Sequence, residues 1–412
     1  DALPISQKGV GQYQASKAGY EALLAKALAT ITQVRLRRKI AECEQTLGDF
    51  AGAYQHLSEG LSLLGVGGGD QKAAPKGASP LSWVKKHFSK LSGSFNSDDV
   101  MSQEIHHILD RQISTLFFLR PEGWKKQVAE LAGLQKNVAK KLNNPQALAQ
   151  AQVFLGFVEL SQGRRDSALL FWKKGIEITE TLRDGPYKSL LLRNTGLMHL
   201  LAGEAATARA LCQKTLLISE RLSDRPGLTQ VHMVLCAIEL HWAHFDKALE
   251  HARAMLATAD DAGLPVFRAL GWSYMARATA RNDFVREAET HLAKAIEMAR
   301  ELKLPYVDMM VGLARAWVFC DLGSYEPCLK AVESGMELCR RVDALPFYRL
   351  TLRCAGLWAS VDWVTRGQPP ASVSEGLVDR LKEFQRESVE HGVVQFESIA
   401  AELLARLTNA VH

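Results

Sequence analysis

The residue types best able to do chemistry in this chain are its histidines, cysteines and clustered lysines. His232 and Cys236 stand four residues apart, with His241 and His244 just beyond. Positions i and i+4 share one helix face, so His232 and Cys236 could present two ligands to zinc. Cys236 also falls in a periodic series of small residues, described below, and packing accounts for it without a metal. His106 and His107 are adjacent. A helix would turn them to different sides, so ordinary surface histidines are expected there. Lys85, Lys86, His87 and Lys90 form a small basic cluster that could touch an anionic partner, although a solvated charged face explains it more simply. The sequence contains no His-Glu-x-x-His, no Gly-x-Ser-x-Gly and no Gly-rich dinucleotide loop. It has no Gly-Lys dipeptide either, which excludes a Walker phosphate loop. The expectation is therefore a chain with no catalytic residue, no cofactor and no metal.

Composition limits what else the chain can be. Its 412 residues suffice for two or three ordinary domains or one long repeat array. With 47% hydrophobic and 23% charged residues it can bury apolar surface along most of its length. A formal charge of +5 is small for this length and does not suggest nucleic acid. No apolar run approaches the roughly 18 residues of a membrane span. No basic region followed by an apolar core opens the chain, so no signal peptide is expected. Seven scattered cysteines without a Cys-x-x-Cys pair fit a reducing compartment, which predicts a cytoplasmic protein. Residues 1–5, Asp-Ala-Leu-Pro-Ile, look like a translated adapter. They are set aside as an artefact or tag, and the chain is read as a fragment of something longer.

The elements that must position these residues come from a repeat. Gly156, Gly196, Cys236, Ala276, Ala316 and Gly356 follow one another at 40 residues. Ala168, Ala208, Ala248, Ala288 and Cys328 do the same. Pro145, Pro186, Pro226, Pro265, Pro305 and Pro346 recur at 39 to 41. Small residues on paired helices allow close approach, and proline at a helix start loses no hydrogen bond. Gly163, Gly203, Ala243, Asp283 and Gly323 fall seven residues after the first series, where a helix must end. The unit opened by Pro186 predicts one helix over 187–202 and a second over 205–222, each with the 3.6-residue apolar period. An earlier pair is expected at 31–64. Two more helices are expected over 101–119 and 123–142, and two at the C-terminus, near 374–390 and 393–408. The fold class is all-α, a superhelix of antiparallel helix pairs. The organisation is 6–64 for the N-terminal helices and first pair, 65–100 for a flexible linker, 101–366 for the array and 367–412 for capping helices.

Small-x6-turn and Ala-x6-small spacings in helix pairs resemble the tetratricopeptide family, over roughly residues 30–366. The period exceeds the family's usual length of about 34 residues. It is similar to the long-helix variant of bacterial transcription activators and signalling ATPases. A finer resemblance rests on Leu36-Arg37-Arg38-Lys39-Ile40-Ala41-Glu42, Leu47-Gly48-Asp49-Phe50, His56-Leu57 and Leu61-Ser62-Leu63-Leu64-Gly65. These look like the repeat region that follows the ATPase module of soluble-adenylyl-cyclase-type and kinase-linked proteins. The cyclase and ATPase domains themselves are absent from this sequence.

The resemblance implies a concave groove lined by residues around the small position of each first helix. That set is Phe157, Arg193, Leu197, Gln230, Met233, Arg277, Arg281, Trp317 and Arg353. Aromatic, Met and Arg side chains are the types enriched in binding hot spots. The family's chaperone-tail receptors clamp a carboxylate with Lys and Asn at two of these positions. Here Arg193 and Leu197 stand there, so that clamp is not reproduced. The implied function is a non-catalytic interaction scaffold within a larger cyclase- or kinase-linked signalling protein, or alternatively a free-standing adaptor. Its expected partners are protein or peptide segments, acidic ones included, or the parent's own catalytic domains. Neither nucleic acid nor membrane is expected as a partner.

Overall fold

The structure is a computed structural model describing residues 12–66, 100–281, 284–367 and 369–411. Residues 1–5, most of the expected linker, the Lys85–Lys90 cluster and Asp283 lie outside the described residues. Among the described residues every regular element is helical. Helices α1 (Gln12–Leu24), α2 (Thr30–Leu47) and α3 (Phe50–Leu61) come first, followed by α4 (Val100–Leu119) and α5 (Trp124–Lys141). Antiparallel pairs then follow: α6 (Pro145–Ser161) with α7 (Arg165–Glu180), α8 (Pro186–Leu201) with α9 (Ala205–Leu222), and α10 (Arg225–His241) with α11 (Phe245–Ala262). The series continues with α12 (Pro265–Arg281) and α13 (Val285–Leu302), then α14 (Pro305–Asp321) and α15 (Tyr325–Arg341). A long α16 (Pro346–Arg366), a single turn α17 (Ala371–Ser374), α18 (Leu377–Glu390) and α19 (Val394–Val411) complete it.

The local causes are those the repeat implies. Proline is the first helical residue of α6, α8, α12, α14 and α16, and the second of α10. Asn144 and Asp224 cap α6 and α10 by accepting from the Ala147 and Gly227 amides at 3.0 and 3.1 Å. The small series marks where paired helices nearly touch. A Cβ at Gly156 would lie 2.2 Å from the Trp172 indole nitrogen, and one at Gly196 would lie 2.9 Å from the Cys212 sulfur. Trp172 Nε1 donates to the Val153 carbonyl at 3.0 Å, locking α7 onto α6. All seven cysteines are free and buried.

His106 departs from the surface position expected of it. It is only 3% exposed, because α4 is packed between α3 and α5, and its Nε2 lies 3.3 Å from the Tyr187 hydroxyl. Its neighbour His107, with its ring 5.3 Å away, is exposed, so the adjacent pair does face different environments.

The superhelix closes on itself. Trp124 Nε1 donates to the Val342 carbonyl at 3.1 Å, and Lys125 pairs with Asp343 at 2.6 Å, joining α5 to the end of α15. Arg120 reaches across to α14 and α16. Its guanidinium stands 5.1 Å from the ring centres of Trp124 and Tyr306 and 5.6 Å from that of Tyr348. Two glycines make the closure possible. Gly48 has φ +89° and would place a Cβ 2.9 Å from Leu302 of α13; Gly203 has φ +82° and would meet the Gly392 carbonyl at 2.7 Å. The turn before α19 is thus seated against the turn between α8 and α9. The largest apolar cluster joins residues from Val34 near the start to Leu407 near the end, with a second cluster centred on α10 to α12.

Candidate functional site

The first helices of successive pairs line the inside of this closed turn. Two adjoining cavities occupy it, of about 660 and 300 Å³. Leu197, Met233, Tyr306 and Tyr348 belong to the wall of both. Such volumes and mainly apolar walls with a few polar groups are those of ligand sites.

Eight of the nine expected groove residues lie on these walls. Phe157, Arg193 and Gln230 face the larger cavity, Arg277, Arg281 and Trp317 the smaller, and Leu197 and Met233 both. Phe157 is buried edge-on against Phe117, with centroids 4.5 Å apart, and so forms a rigid wall. Arg353 is elsewhere. It pairs with Glu387, and with Glu383 at 3.5 Å, fastening α16 to α18. On neither cavity wall, it is occupied in holding the C-terminal helices.

The guanidinium groups differ in how their charge is met. Arg281 lies 3.0 Å from Asp321 and stacks over Phe245 and Trp358 at 5.4 and 5.7 Å. Burial raises the Asp321 carboxyl to about 6 against the pull of Arg281 and Arg277. Arg277 lies over Trp317 at 5.2 Å, and among the described residues no carboxylate stands in ion-pair range of it. Desolvation lowers its basicity, as it does for Arg120. Arg120 donates to the Phe117 carbonyl at 3.2 Å and contacts the Met309 sulfur at 3.4 Å, besides its three rings. Sequence reasoning missed Arg120 because it lies outside the periodic positions of the array, at the turn leaving α4.

His232, Cys236, His241 and His244 do not converge. His232 faces His251 at 3.1 Å, Cys236 donates to the Ala248 carbonyl at 3.2 Å, His244 meets Glu239 at 2.8 Å, and His241 packs on Phe396. Among the described residues no three His, Cys, Asp or Glu side chains form a metal-holding group. No described helix is long and apolar enough to cross a membrane.

No family model and no curated protein matches the sequence. Solved structures do. A Rap protein in complex with Competence and Sporulation Factor superposes at TM-score 0.55 with 13% identity, over 89% of this chain and 97% of its own. A signal transduction ATPase with numerous domains, carrying a tetratricopeptide repeat sensor and taken from Pyrococcus horikoshii, gives 0.47 and 12%, over 92% of this chain and 54% of its own. Yeast Tom70 gives 0.43 and 16%, over 97% and 84%. Of these three, the first is close enough to speak for the fold. The chain is a tetratricopeptide-like helical repeat superhelix.

Proposed function

We propose that this chain is a protein-interaction scaffold, non-catalytic in itself, that grips extended segments of partner proteins in its closed central channel. The observation that carries the reading is the channel wall. Met233, Trp317 and Phe157 offer apolar and aromatic surface there, and Arg193, Arg277 and Arg281 stand between them. Such a wall suits a segment with apolar anchors and acidic side chains, since arginine offers a planar fork to carboxylates. The Rap protein of similar fold was solved with Competence and Sporulation Factor bound, which supports the same use of the fold here. Residues 36–65 support placing the array in a cytoplasmic cyclase- or kinase-linked signalling protein, downstream of its catalytic domains.

Titrating a defined library of acidic and neutral peptides tests the scaffold. Gln230→Trp, which projects an indole from the wall of the larger cavity and narrows it, should weaken capture while the melting temperature holds. Capture unchanged by the narrowed cavity places the binding surface elsewhere. The reading frame upstream of residue 6 tests the parentage. A phosphate-loop domain there supports it, and a start codon makes the chain a free-standing adaptor.

A further inference from the structure

Four arginines line the larger cavity, and three have their charge accounted for. Arg111 is 3.7 Å from Glu42, Arg225 is 3.4 Å from Asp261, and Arg120 is held in its cage of rings. Arg193 is the exception. It is 6% exposed, its Nε has no hydrogen-bond partner, and among the described residues it makes no ion pair and lies over no ring. The acid whose charge it feels is Asp224, but that carboxylate caps α10 through the Gly227 amide at 3.1 Å and lies beyond ion-pair range of Arg193. Burial lowers the Arg193 guanidinium only to about 10, so it stays charged at neutral pH. A buried, unpaired charge is strongly unfavourable, and buried charges are ordinarily paired. Around it Phe154, Phe157 and Leu197 supply apolar wall, and Gln230 adds an amide.

We infer that the larger cavity is a binding site for a small amphipathic organic carboxylate, whose carboxylate group is the missing partner of Arg193 and whose alkyl or aryl body lies against the surrounding phenyl rings. The volume of about 660 Å³ is that of a small-molecule site. A charge-assisted, forked hydrogen bond in a desolvated pocket gives the carboxylate its selectivity over a neutral amide of equal size. The site stands independently of the scaffold reading, because a free acid needs no polypeptide around it.

The test is calorimetric titration of the full chain with octanoate, 3-phenylpropionate and the neutral 3-phenylpropanamide. The carboxylates should bind at least about tenfold more tightly than the amide. In Arg193→Met that preference should fall to near parity. The ligand-free variant should melt at or above the parent temperature, because an unpaired buried charge has gone. Should Arg193→Met fail to fold, Arg193→Lys keeps the charge without the fork and should retain a weakened preference. Equal binding of acid and amide, saturation of neither, or a preference untouched by Arg193→Met overturns the site. So does discrimination confined to glutamate-containing peptides over their glutamine counterparts, with no binding of free acids. Binding of neutral peptides without any carboxylate preference leaves the scaffold standing and removes this site. Binding of free acids without any peptide does the reverse.

Discussion

Arg120 shows how one side chain can join distant parts of a chain. It leaves α4 in a left-handed turn, φ +46°, and ends among Trp124, Tyr306 and Tyr348. Desolvated cation–π contacts are worth about 2 kcal/mol or more. Arg120→Ala removes them with both hydrogen bonds and leaves a cavity, so it should cost roughly 2–4 kcal/mol in urea unfolding. An unchanged midpoint would mean that the cage is not a clasp. Residues of this kind were the least legible in the sequence. Arg193 and Arg277 could be placed on a concave face by register with the small residues, but that neither finds an ion-pair partner among the described residues could not be read. Arg353 shares that register with Arg193, yet α18 supplies Glu387 and Glu383 to it, and no periodicity announces a partner 34 residues away.

At the scale of elements the sequence was far clearer, because each helix pair carries its own signals. The pair expected at 187–202 and 205–222 is Pro186–Leu201 and Ala205–Leu222. What escaped was the second set of turns. Asn143, Ser223, Gly263, Lys303 and Asp343 all adopt left-handed φ in the loop before the next pair, but only one is glycine. Position, not residue type, imposes that geometry, and a non-glycine residue bears a strain of about 1–2 kcal/mol to adopt it. The small residues give a paired prediction. Gly156→Ala puts a methyl 2.2 Å from the Trp172 indole nitrogen and should destabilise by about 1–3 kcal/mol. Gly312→Ala, inside α14 with nothing within 4 Å of the new methyl, should stabilise by about 0.4–1 kcal/mol. Urea midpoints that move the same way in both variants would contradict the packing described here.

For the whole molecule the defining feature is closure, which turns a groove into a channel. Nothing in a 40-residue period tells that the turn before α19 will meet Gly203, since closure depends on small rotations accumulated over many pairs. Packing between neighbouring helices also desolvates histidines. His106, His199 and His232 are each held down to about 4 by desolvation. Their folded values lie below the unfolded value of about 6.5, so between those limits the unfolded chain binds more protons. The stability they contribute is fully present above about pH 6.5 and is lost as pH falls towards 4. Asp321, raised to about 6, works the opposite way between about 3.8 and 6. Asp110 and Asp308, raised by burial, and His56, raised by Glu44, also oppose the histidines. Desolvation lowers His107, His241, His251 and His291 as well, so the lowered histidines outnumber the opposing groups. Urea midpoints should therefore fall from pH 7.5 to pH 5, and a midpoint that rises would refute the burial of these rings. The central claim, that partner segments are gripped inside the closed channel, is tested most directly by site-specific photo-crosslinking. A leucine-sized diazirine side chain at Leu197, on the wall of both cavities, is compared with the same side chain at Leu217, which is 63% exposed on α9. With a defined library of acidic, apolar-anchored peptides, the account predicts crosslinks from Leu197 and none above background from Leu217. Crosslinks from Leu217 with none from Leu197 would contradict it.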